Sequence, residues 1–114
     1  MLVKKPRYKL RFPSPEAAPQ RYLSFTESGA LMIEKDDFTR PWDERCAWLA
    51  PEDTIKFLHS IGEQGRQPEF TNGDPTRETQ AMLRRLIKQF SSIADLSRCW
   101  KILGIYVHGT DTLT

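Results

Sequence analysis

RYLSFTESGALMIEK, Arg21 to Lys35, decides the fold. Two apolar runs flank Glu27-Ser28-Gly29, and Gly29 can take a positive φ that other residues resist, so the stretch reads as a β-hairpin. Side chains alternate along each arm. Leu23 and Phe25 share one face of the first strand, Leu31 and Ile33 one face of the second, and both pairs are expected to face the core.

Upstream lies KKPRYKLRF, Lys4 to Phe12, with five cations and no acid. From Tyr8 to Phe12 apolar and cationic residues alternate with period two. This predicts a half-buried strand with Tyr8, Leu10 and Phe12 inward and Lys9 and Arg11 outward. Pro6 before it and PSPEAAP (Pro13 to Pro19) after it remove amide donors, which favours an edge position followed by an irregular connector. Residues 1–6 are expected to form a mobile basic tip.

Downstream, DDFTRPWDERCAWLAPED (Asp36 to Asp53) has no clean period but carries Trp42, Cys46 and Trp48. It reads as a loop or short extra strand packing back on the sheet, because these residues are costly to leave exposed. Pro51, followed by Glu52 and Asp53, starts a short helix with Ile55, Leu58 and Ile61 on its apolar side and Gly62 as its stop. GEQGRQPEFTNGDP (Gly62 to Pro75) reads as a polar linker within the domain. Asp74-Pro75 then marks the start of a long helix with a capping acid and a first-turn proline. Its apolar stripe runs through Leu83, Leu86, Ile87, Phe90, Ile93 and Ala94, and its end is expected between Ser91 and Arg98. WKILGIYVHG (Trp100 to Gly109) is apolar on both alternating faces and predicts a covered, central strand beside an early one. The tail at 110–114 is expected to fray.

The order is β-β-β-α-α-β. It predicts an α+β fold, a small antiparallel or mixed β-sheet of about four strands with two helices packed on one face. A chain of 114 residues matches one compact domain spanning 1–114, and 39% hydrophobic with 28% charged residues exclude global disorder. No apolar run reaches the roughly 18 residues of a membrane span, and no apolar segment follows the first cations. A soluble cytoplasmic protein is the expectation. Cys46 and Cys99 lie far apart without a C-x-x-C pair, so neither a zinc site nor a disulfide framework is indicated and both read as half-buried thiols.

The net charge of +2 hides an asymmetry: with five cations in Lys4 to Arg11, the remaining chain nets −3. Lys4, Lys5, Arg7, Lys9 and Arg11 form one basic cluster. Arg77, Arg84 and Lys88, with Arg85 adjacent, form another on the polar side of the long helix. Together they support a nucleic-acid-binding accessory protein, because such cations neutralise phosphates. As edge charges, however, Lys9 and Arg11 would serve to prevent edge-to-edge strand pairing. A different surface is offered by FTRPWDERCAW, where Arg40, Trp42, Arg45 and Trp48 combine large aromatics with arginine, the residue types enriched at protein contacts.

Catalysis finds little support. His59 and His108 are the only histidines and read as structural, although His108, Asp111 and a helix residue could be assembled into a site. Adjacent acid pairs lack metal-loop spacing, no phosphate-cradling glycine motif occurs, and no cofactor is implied. The leading expectation is a non-enzymatic binding protein, an adaptor, inhibitor or accessory subunit with a protein partner, using the aromatic-arginine loop and a sheet edge. Nucleic-acid binding is the alternative.

Overall fold

The computed structural model describes residues 8–13, 20–36, 46–63, 67–90 and 92–109. Strands β1 (Leu10–Arg11), β2 (Gln20–Phe25), β3 (Leu31–Asp36) and β4 (Cys46–Leu49) precede helix α1 (Pro51–Ser60). A short ribbon, β5 (Phe70–Thr71) and β6 (Asp74–Pro75), leads into α2 (Arg77–Gln89) and α3 (Ile93–Ile102), and β7 (Val107–Gly109) follows. The main sheet has five strands in the order β1-β2-β3-β4-β7, and every neighbouring pair is antiparallel. This is the expected α+β class, with one more strand, one more helix and an additional ribbon.

The hairpin forms around Gly29 at φ 90°, with Thr26 N–H donating to the Ala30 carbonyl at 2.8 Å. Leu23, Phe25, Leu31 and Ile33 are all buried in one hydrophobic cluster with Phe57 and Leu58 of α1, Met82, Leu83 and Leu86 of α2, and Leu96 and Trp100 of α3. The Phe57 ring anchors the three helices. It meets Trp100 edge-on at 5.8 Å between centroids and Phe90 at 5.7 Å. Tyr8 and Leu10 pack against this cluster and Phe12 is buried in it, so the first strand turns its apolar face inward as its alternation requires.

Helix α1 starts at Pro51, and Gly62 at φ 93° follows its end. Its buried side chains are Thr54, Phe57 and Leu58, whereas Ile55 and Ile61 are only half-buried. The apolar side of α1 is therefore displaced by one residue from the expected stripe. Thr54 earns its place chemically: its hydroxyl accepts the Leu31 N–H at 3.0 Å and donates to the Ala50 carbonyl at 3.1 Å, tying β3 to α1.

Three expectations are corrected. Asp74-Pro75 does not cap the long helix. Asn72 at φ 53° and Gly73 at φ 83° form a tight two-residue turn, so Asp74 and Pro75 pair back with Thr71 and Phe70, and Thr76 becomes the N-cap through Thr79 N–H. The long apolar stripe also divides. Phe90 leaves helical geometry at φ −113°, ψ 100°, and Ser92 caps a new helix through Asp95 N–H, which leaves Ala94 exposed. Finally, Trp100 to Gly109 is no central strand. Trp100 to Ile102 complete α3, Gly104 at φ 71° turns the chain, Ile105 N–H returns to the Trp100 carbonyl at 2.9 Å, and only Val107 to Gly109 reach the sheet, at its edge.

Candidate protein-contact surface

The helices cover one face of the sheet, so the chemistry on the other is set by residues of opposite parity. Register places them in two rows. One runs Arg11, Tyr22, Glu34, Cys46 and the other Ser24, Met32, Trp48, His108. The centre of this face is shielded, with Ser24, Met32 and Glu34 buried.

The second row ends in an aromatic ladder. Trp48 and His108 are direct cross-strand partners whose rings stack at 6.0 Å and 16°, and Tyr106 meets His108 edge-on at 4.7 Å and 73°. Trp48 and His108 are half-buried, whereas Tyr106 is 69% exposed. Among the described residues the only other large hydrophobic side chain so exposed is Ile102, at 80%. Only Leu103, Gly104 and Ile105 lie between the two, so their Cα atoms are at most about 14 Å apart. Ile102 also borders an open groove of about 490 Å³, floored by Ile61, Phe90, Cys99 and Leu103 between the helices. Burial raises the Cys99 thiol pKa above its ordinary value, and neither cysteine is in a disulfide.

Of the residues expected at a protein contact, Trp48 lies in this ladder; Arg40, Trp42 and Arg45 lie outside the described residues. Tyr106 and His108 join Trp48 without having been singled out for contact. Trp48 and His108 are 60 positions apart and meet only through register, while Gly104 was the available sign that the segment turns before reaching the sheet.

Among the described residues the two basic clusters do not converge. Lys4, Lys5 and Arg7 lie outside the described residues. Lys9 folds back over the sheet, its Nζ 3.3 Å from Glu34 Oε2 and 4.5 Å above the Tyr22 ring, so its charge serves a buried carboxylate. Arg11 is exposed on that same face. Arg85 is held internally by Glu63, through Nε and Nη2 at 2.5 and 3.0 Å, and by Glu78 at 3.1 Å. Hydrogen bonding to Glu63 raises its pKa further above the ordinary arginine value. Arg77, Arg84 and Lys88 are exposed and make no ion pair among the described residues. Because α2 packs on β1 and β2 from the helix side, the sheet separates this stripe from Lys9 and Arg11.

His59 is exposed at the end of α1, and Asp111 lies outside the described residues, so the combination of His108 with Asp111 has no described geometry. Among the described residues no group of three or more His, Cys, Asp or Glu side chains could hold a metal ion. No described helix is long and apolar enough to cross a membrane. No protein-family model, no curated protein and no solved structure matches the chain.

Proposed function

We propose that the protein is a non-enzymatic intracellular binding protein that acts by protein–protein contact, as an adaptor, inhibitor or accessory subunit. The observation that carries this reading is the Trp48–His108–Tyr106 ladder, whose outermost ring stands in solvent at the end of the sheet. Aromatic side chains that are rigidly stacked at one end and exposed at the other desolvate a partner at little conformational cost. Tyr106→Ala removes the exposed ring without opening the core. The test is quantitative recovery of binding partners by the immobilised protein: Tyr106→Ala, with an unchanged thermal melt, and Trp48→Ala, with a lowered melt but a native circular dichroism spectrum at the assay temperature, should each lose the same partner that wild type and Arg84→Ala retain. Retention by both aromatic variants refutes the reading.

The exposed Arg77, Arg84 and Lys88 stripe supports a second reading, a nucleic-acid-binding accessory protein. Neutralisation by these three cations alone corresponds to a log–log salt slope for duplex DNA of about −3. Lack of binding to duplex DNA and RNA at low salt removes this alternative.

A further inference from the structure

The hydrogen-bonding direction of every strand in the main sheet can be traced from one bond. Phe12 N–H donates to the Arg21 carbonyl at 2.9 Å, so odd-numbered residues of β2 point their backbone groups toward β1 and even-numbered ones toward β3. Antiparallel pairs alternate between bonded and non-bonded residues. Met32 and Glu34 of β3 therefore point to β2, while Leu31 and Ile33 point the other way, as the Leu31 N–H bond to Thr54 shows. Continuing through Ile33 and Ala47, Trp48 points to β7 and bonds His108. The Val107 N–H and carbonyl, and the Gly109 N–H, are left directed away from the sheet, where no described strand lies.

The two sheet edges are treated differently. β1 carries the exposed Arg11 and is followed by Pro13, a charge and a proline of the kind that discourage strand addition, whereas Lys9 is turned back over the sheet to Glu34. β7 carries Val107, His108 and Gly109, with no formally charged side chain and no proline, and it follows the exposed Ile102 and Tyr106 in the chain.

Resting on the protein-contact reading above, we infer that β7 receives an extended segment of another protein as a sixth strand of the sheet. Its backbone bonds the outward groups of Val107 and Gly109, and its alternate side chains lie over Tyr106 and His108. A second copy of this chain is a poorer occupant. Three residues give about 10 Å of strand, and the exposed parts of Ile102 and Tyr106 add well under the roughly 800 Å² per partner of a stable interface. Lys101, beside Ile102, is exposed without an ion-pair partner among the described residues, and a symmetric contact would set like charges on the same patch. An acidic residue flanking the apolar positions of a foreign segment complements it instead.

The test uses a displayed library of random dodecapeptides selected on the wild-type protein, the selected peptides then serving as probes. N-methylation at alternate peptide residues should weaken binding about tenfold or more while the intervening positions tolerate it, because each inserted strand directs only alternate N–H groups to the sheet. Val107→Pro removes an outward N–H that β4 does not use, a change edge strands accommodate, and should weaken the same probes about tenfold. The scan on wild type stands even where that variant fails to fold. No selected peptide, or a flat N-methyl scan, overturns the inference. If the scan is flat and Val107→Pro is neutral while Tyr106→Ala still abolishes probe binding, strand addition falls and the contact surface stands; if Tyr106→Ala is neutral too, both fall. A dimer in sedimentation that Val107→Pro dissociates makes a second copy the occupant and also overturns it.

Discussion

Replacing Thr54 by valine removes one hydroxyl from a fully buried site without changing its shape. In the native protein that oxygen accepts the Leu31 N–H at 3.0 Å and donates to the Ala50 carbonyl at 3.1 Å. The carbonyl keeps a partner in the variant, because it also accepts the Thr54 N–H at 2.8 Å. The Leu31 N–H does not: it points to the β4 side at the first residue of β3, where the hydroxyl is its acceptor. An orphaned buried donor costs about 1–3 kcal/mol. For 114 residues, an unfolding entropy of roughly 2.1 cal/mol/K per residue makes 1 kcal/mol worth about 4 °C, so Tm should fall by roughly 4–12 °C. Thr54→Ser keeps the hydroxyl and loses a methyl, worth about 1 kcal/mol. Urea denaturation followed by circular dichroism gives the free energies, and amide exchange identifies the site: Leu31 should lose protection in Thr54→Val and keep it in Thr54→Ser. A Thr54→Val protein within about 0.5 kcal/mol of wild type, with Leu31 still protected, would refute the reasoning.

Two further outcomes follow from local geometry. Gly109→Ala places a Cβ on the Cys46 carbonyl at a φ of 125°, whereas Gly104→Ala meets open space at φ 71°, so the first should detach β7 and perturb Trp48 fluorescence while the second shows only the backbone penalty of about 1–2 kcal/mol. Fluorescence unchanged in Gly109→Ala would contradict the close approach. Burial holds the Cys99 thiol pKa above its ordinary value; in a Cys46→Ser background, iodoacetamide alkylation should therefore rise with a midpoint above that of a free thiol. The folded state then binds the proton that the unfolded state releases, so stability should fall as pH rises past the ordinary thiol value and be insensitive to this group below it. A midpoint at or below the free-thiol value would contradict the burial.

Local chemistry was legible in the sequence where one residue decides it. Gly29 marks the hairpin, Pro51 the start of α1 and Gly62 the turn after it, each through a backbone preference that tertiary packing does not override. The corrections share a cause. Trp100 to Gly109 is apolar at both parities, and such a run suits a buried strand and the end of a packed helix equally well; Gly104, not hydrophobicity, divides it. Asn72-Gly73 carried the signal for a tight hairpin turn, but the flanking strands are two residues each and offer no period to read. For the candidate surface, Trp48 was legible from composition. Its partners were not, since the stack with His108 depends on a pairing between distant residues that no local pattern encodes.

The basic stretch before the hairpin shows how burial reassigns charge. Because Tyr8, Leu10 and Phe12 must face the helices, Lys9 and Arg11 must face away from them, onto the side where Glu34 lies 5% exposed. Lys9 is thereby drawn across Tyr22 to the carboxylate. The same alternation removes it from any surface shared with α2, so an anion meeting Arg77, Arg84 and Lys88 cannot at once meet Lys9 across the sheet. With Lys9 turned back over the sheet, β1 keeps the exposed Arg11 and the following Pro13 against an added strand, whereas β7 offers outward backbone groups that no described strand pairs, beside an exposed aromatic ring. In a sheet with two ends, that difference directs strand addition to β7.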